Sequence, residues 1–200
     1  MKKIFFSLIF FLISTQLVFG KEVRTRFGFY INLPNNFIQF NANLDELIEL
    51  EDEENINKDF WNEMMAGASK SEMDIEYLFP KKRYNPETNN INITMSEQDI
   101  RELMAFTIDE LCPEIKYMME GLFNKRVKTY QCLKNPSSIQ RKSSPAVYYF
   151  EVDGPFDNQR AHLVMLQTRK GYSTTFTLGC ETKNCPNFIK DFISIINSRS

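Results

Sequence analysis

The chain has 200 residues, with 24 lysines and arginines against 26 aspartates and glutamates, one histidine and a formal net charge of −2 at pH 7. That length suits one domain, and a balance so near neutral excludes the general attraction to nucleic acid or anionic membrane that a basic chain has. Eighteen phenylalanines, eight tyrosines and one tryptophan exclude a disordered chain, which cannot carry so much apolar surface in water.

The first twenty residues read as a secretory signal peptide, 1-20. Lys2 and Lys3 give the positive start, Ile4 to Ile13 is apolar except for Ser7, and Val18-Phe19-Gly20 supplies the stretch read by a signal peptidase, with the cut after Gly20. An uncleaved anchor is the other reading, but the apolar run is shorter than the roughly 20 residues that span a bilayer. No cysteine follows the cut, so a lipid anchor at that place is not expected. Removing the segment with its two lysines leaves 180 residues, 21-200, with 22 basic against 26 acidic side chains. No later stretch is long and apolar enough for a stable membrane span. The expected location is therefore periplasmic or secreted.

Alternation of apolar and polar residues marks the strands. Phe27, Phe29, Ile31 and Leu33 form the first, and Pro34-Asn35-Asn36 turns the chain. Between Asn41 and Lys70 lie two helical candidates, Leu44 to Leu50 and Phe60 to Ala68. Strands follow at Met73 to Phe79 and Asn90 to Met95. Ile100, Leu103, Met104, Thr107, Ile108 and Leu111 make one helical stripe, with Ser96 as N-cap and Asp99 three residues on. Pro113 is expected to end or kink this helix, with Ile115 to Phe123 continuing at an angle. Val127 to Leu133, Pro145 to Val152, Ala161 to Thr168 and Tyr172 to Leu178 complete the strands. The nearly continuous apolar run in Ala161 to Thr168 predicts a central strand covered on both faces. Turns at Asp153-Gly154-Pro155 and Lys170-Gly171 are short, so the last three strands must be antiparallel neighbours. Phe188, Ile189, Phe192, Ile195 and Ile196 give a C-terminal helix with Pro186 in its first turn. Strands grouped in hairpins with amphipathic helices between them predict an α+β fold, a mostly antiparallel β-sheet with helices packed against it.

All four cysteines, Cys112, Cys132, Cys180 and Cys185, follow the signal segment. An even count in an exported chain predicts two disulfides. Of the three possible connectivities, Cys180–Cys185 and Cys112–Cys132 are favoured because each closes a short loop, worth roughly 2–3 kcal/mol apiece on a chain-entropy argument. Structural zinc usually shows paired C-x₂₋₄-C or His pairs, and His162 stands alone in sequence, so no metal is expected.

The order of elements resembles the PsbP-like α/β/α sandwich. Gly28-Phe29-Tyr30-Ile31-Asn32-Leu33-Pro34-Asn35-Asn36-Phe37 is similar to that superfamily's opening strand. Thr174-Thr175-Phe176-Thr177-Leu178, a loop, and a helix closing on Ile196-Asn197-Ser198 resemble its end. The superfamily includes an extrinsic subunit of photosystem II, a Ran-binding import factor and many small exported bacterial proteins. The resemblance implies a sandwich braced here by the two cysteine pairs, which with the stretch Asn41 to Lys70 depart from the superfamily's pattern. It transfers no functional residue, because fold alone does not carry function.

The remaining chemistry-bearing residues have plain readings. His162 lies inside an apolar strand with no sequence-adjacent nucleophile, so it reads as a core or edge residue. The acidic run Glu49 to Glu54 lacks the spacing and glycine of a calcium loop. Lys81-Lys82-Arg83 with Tyr84, and Lys125-Arg126 with Lys128, are short basic clusters that suit an acidic partner, a phosphate or a lipid headgroup, though such short runs usually serve to keep strand ends soluble. No glycine-rich phosphate loop exists. Asn92-Ile93-Thr94 matches a glycosylation acceptor but falls within a strand. The expected protein is an exported, non-enzymatic binding or assembly-accessory module without a cofactor, its partner a protein in the envelope or outside the cell. The alternatives are a carboxylate-dependent hydrolase of the cell envelope and a secreted interaction protein.

Overall fold

The computed structural model describes residues 20–40, 75–81, 85 and 88–200. The signal segment through residue 19, the two helical candidates between Asn41 and Lys70, the acidic run, and Lys82 to Tyr84 all lie outside the described residues.

A small hairpin opens the described chain. β1 (Lys21–Arg24) pairs antiparallel with β2 (Tyr30–Leu33), and β3 (Phe37–Phe40) follows after the Pro34-Asn35-Asn36 turn. Then come β4 (Ile75–Pro80), β5 (Asn90–Ser96), α1 (Ile100–Leu103), α2 (Ile108–Phe123), β6 (Thr129–Lys134), β7 (Val147–Asp153), β8 (Gln159–Arg169), β9 (Tyr172–Glu181) and α3 (Cys185–Ser198). Strands β3 to β9 form a seven-stranded sheet in the order β3-β4-β5-β9-β8-β7-β6, with every neighbouring pair antiparallel. The apolar strand β8 sits between β7 and β9 with most of its length buried. Gly171, at φ +83°, makes the tight turn into β9, a backbone angle that other residues rarely adopt.

Each sheet face carries its own core, as an α/β/α sandwich requires. On one face Phe176, Leu178, Val164, Leu166, Val147 and Ile93 pack with Ile31 and Leu33 of β2 and with Phe188, Phe192, Ile195 and Ile196 of α3. On the other, Tyr148, Phe150, Val152 and Leu163 pack beneath Ile100, Leu111 and Met119. The C-terminus closes the first layer: Ser200 and Tyr30 exchange backbone hydrogen bonds, and the buried Arg199 donates to the carbonyls of Ile196 (2.6 Å), Gln140 (2.5 Å) and Arg141 (3.0 Å). Arg199 thereby ties the last turn of α3, through the Ile196 carbonyl, to the β6–β7 connection, through those of Gln140 and Arg141.

The helical stripe beginning at Ile100 is two helices, not one. Ser96 ends β5 and shares a hydrogen bond with Ser173 across the sheet (2.8 Å), so it caps nothing. Asp99 caps the short α1 instead, and the reciprocal capping box belongs to Thr107 and Glu110 at the start of α2. Pro113 neither ends nor visibly interrupts α2. It is the sixth helical residue, so only the bond its N–H would have given the Asp109 carbonyl is forfeited, and packing of Ile108, Leu111, Ile115 and Met119 on the sheet outweighs that loss. Both expected disulfides are present. Cys180–Cys185 joins the end of β9 to the start of α3, and Cys112–Cys132 ties α2 to β6.

Candidate functional site

At one end of the sheet the β7–β8 loop, the α2–β6 connection and the β9–α3 turn surround two adjoining hollows. One, of about 420 Å³, is lined by Lys125, Arg126, Tyr130, Asp153, Phe156 and Arg160 among others. The second, of about 560 Å³, lies between Thr88, Asp157, Asn158, Glu181 and Lys183. Gln159 borders both; its buried side chain donates to the Thr88 carbonyl (2.8 Å). Gly154 allows this placement, because a Cβ there would stand 2.8–2.9 Å from Gln159 side-chain atoms.

A register shift between Thr129 and Gln131 leaves Tyr130 bulged out of the β6–β7 ladder. Bulges re-aim a side chain in this way. The Tyr130 ring lies beneath the Arg160 guanidinium, 3.1 Å from carbon to ring centroid, with the Lys128 ammonium 4.8 Å from the same centroid. Tyr130 donates its hydroxyl to Asp153 (2.7 Å), and Asp153 also accepts from the Lys128 amide (2.8 Å). Arg160 donates to Glu151 (3.0 Å). Burial works to raise the Asp153 pKa, but Tyr130, the Lys128 amide, Arg160 and Lys125 together hold it below the ordinary value. The bond to Asp153 raises the Tyr130 pKa, so the phenol stays neutral. This closed network forms a fixed floor.

Above that floor the sequence-identified cluster is placed for contact. Lys125 and Arg126 line the hollow without an ion-pair partner among the described residues, while Lys128 serves the floor. Tyr130 at 37% and Phe156 at 51% are among the exposed large apolar residues of the described chain. Lys81, of the other basic cluster, follows the last residue of β4 and does not line either hollow. Asn92 is an interior residue of β5, between β4 and β9.

The structure gives His162 neighbours that sequence spacing did not reveal. In the antiparallel register His162 stands opposite Leu178 and Arg160 opposite Cys180, which puts His162 and Cys180 on one face, two residues apart along the ladder. Counting pairs outward from the Lys170-Gly171 turn is the sequence signal that approaches this result. A ring nitrogen of His162 and the sulfurs of Cys180 and Cys185 lie within 4.8 Å of one another, and all three residues are buried. Nδ1 of His162 shares a 2.8 Å hydrogen bond with the Tyr149 hydroxyl, whereas Nε2 is buried without a hydrogen-bond partner among the described residues. Burial, with a smaller contribution from Arg160, pushes the His162 pKa down to about 4, so the ring is neutral at pH 7.

No family model matches the sequence, and no curated protein matches it. The fold does have a match among solved structures. The chain is similar to the solution structure of cyanobacterial PsbP (CyanoP) from Synechocystis sp. PCC 6803, with a TM-score of 0.57 over 94% of this chain and 95% of that one, at 10% sequence identity. Likeness at that identity is likeness of fold: the chain has a PsbP-like α/β/α fold.

Proposed function

We propose that this PsbP-like chain is an exported, non-enzymatic binding module that docks an acidic segment of a protein partner at the hollow between β6, β7 and β8. The observation that carries the reading is the placing of two cations without an ion-pair partner among the described residues, Lys125 and Arg126, beside the exposed Phe156 ring and over the floor built on Tyr130, Arg160 and Asp153. Aromatic and arginine side chains supply most of the energy in protein interfaces, and complementary charge speeds encounter. Export is supported by the joining of all four cysteines in disulfides, which persist in oxidising compartments. Hydrolysis by carboxylates has less support. Asp153, a carboxylate lining the hollow, is held below its ordinary pKa and engaged by Tyr130 rather than kept protonated for acid catalysis.

Crosslinking and mass spectrometry in the native envelope, repeated with K125E/R126E and with F156A, test the reading. Both variants should keep the wild-type melting temperature and lose the crosslinked partner, and capture by the wild type should weaken as salt is raised. A partner retained by both variants, or crosslinked only through residues away from the hollow, refutes the assignment.

A further inference from the structure

We propose that Cys180, Cys185 and His162 form a redox-gated site for a thiophilic d¹⁰ cation, closed while the disulfide stands and opened by its reduction. The site does not rest on the docking reading, since it uses none of Lys125, Arg126, Tyr130 or Phe156.

Three observations converge on it. A ring nitrogen of His162 and the sulfurs of Cys180 and Cys185 already lie within 4.8 Å of one another. Tetrahedral zinc, with Zn–S about 2.3 Å and Zn–N about 2.0 Å, sets such donors roughly 3.5–3.8 Å apart, so modest side-chain rotation suffices. The Nε2 atom of His162 is buried and has no hydrogen-bond partner among the described residues, an uncommon state for a polar atom in a folded interior. Finally, the Tyr149 hydroxyl on Nδ1 is the outer partner that metal-binding imidazoles usually have, fixing the ring and leaving Nε2 as the donor. Two thiolates and an imidazole suit zinc or copper(I) and disfavour hard cations such as magnesium or calcium.

The chemistry balances. A dithiol reductant delivers two electrons and two protons to the Cys180–Cys185 bond, which breaks to give two thiols while the reductant becomes a disulfide. A divalent zinc ion then displaces the two thiol protons and takes the His162 lone pair, leaving one position of its tetrahedron for water. Both cysteines are buried, so reduction requires the short β9–α3 turn, where Thr182 and Lys183 are exposed, to open.

The test uses the full chain, oxidised or reduced with a water-soluble phosphine, titrated with Zn²⁺ against a chromophoric chelator and separately with Co²⁺. Wild-type protein, C180S/C185S, H162Q and Y149F are compared, and C180S/C185S reports any uptake by thiols released from the other disulfide. Reduced wild-type protein should take up one more equivalent of zinc than reduced C180S/C185S and show thiolate-to-cobalt charge transfer, while oxidised protein shows neither. H162Q and Y149F should each weaken uptake by about 10- to 100-fold. Equal zinc uptake by reduced wild-type and C180S/C185S proteins, or no charge-transfer band in the wild type, overturns the proposal. So does unchanged affinity in Y149F, which keeps the ring's packing and decides the matter if H162Q does not fold.

Discussion

Acidification should expose the cost of burying His162. The residue is 1% exposed, and its pKa in the fold is pushed down to about 4 by burial, with Arg160 adding to the effect. In the unfolded chain an imidazole titrates near 6.5. Between those values the unfolded chain binds a proton that the fold refuses, so stability falls as pH drops from about 6.5 and levels off below about 4. The gap corresponds to about 3 kcal/mol. The groups facing the ring do not reverse this sign. Tyr149 is held well above its ordinary pKa by burial and stays neutral, Glu151 on β7 is paired with Arg160 of β8, and the cysteines of β9 and α3 are bonded. Denaturant unfolding of the oxidised protein at a series of pH values, with chelator present, measures the effect. Asp99, Glu110, Asp153 and Glu181, whose pKa values lie below their ordinary ones, also lose stability in acid, so the informative quantity is the difference between wild type and H162Q. That difference should shrink by about 3 kcal/mol between pH 7 and pH 4, to the disadvantage of the wild type. A flat difference, or one that grows in favour of the wild type, refutes the reasoning.

Other perturbations read other parts of the architecture. C180S/C185S should lose about 2 kcal/mol and C112S/C132S about 3, following loop length, as measured by denaturant midpoints. Gly154→Ala should cost about 1–3 kcal/mol by driving a methyl group into Gln159, and should shift the amide resonances of Phe156 and Thr88. Arg199→Met, which removes the side-chain donor to the carbonyls of Ile196, Gln140 and Arg141 and leaves that of Gln140 to lose its bond outright, should cost about 1–3 kcal/mol and raise hydrogen exchange at the last turn of α3.

What the sequence disclosed, and what it withheld, follows from the range of the interactions involved. β8 and α3 announce themselves through unbroken apolar runs or stripes, and the turn at Gly171 forces the β8–β9 pairing. Both disulfides close short loops, so local reasoning sufficed for them. The strands β1 and β3 do not alternate: Val23 is the one apolar residue of β1, and Phe37, Ile38 and Phe40 of β3 are apolar out of step. The break between α1 and α2 is hidden because Met104, Thr107 and Ile108 happen to fit one helical period, although the Thr107-x-x-Glu110 box sits in the middle of the stripe. The Lys125-Arg126 cluster was visible as charge, but its floor was not. Tyr130 reaches Arg160 only through a bulge, and no spacing rule along one strand announces that. His162 meets the cysteines across a ladder, so its isolation in sequence hid its proximity in space.

The sheet's outermost strand on one side is β6, a position where unpaired amides and carbonyls invite pairing by a second chain. Here that strand carries an irregular residue that spoils its register, and a covalent tie to α2 through Cys132 limits how far it can move away from its own helix. Breaking the tie would therefore do more than loosen one molecule. It would uncover a template for strand exchange, and reduced protein at high concentration should begin to form assemblies that the oxidised protein does not.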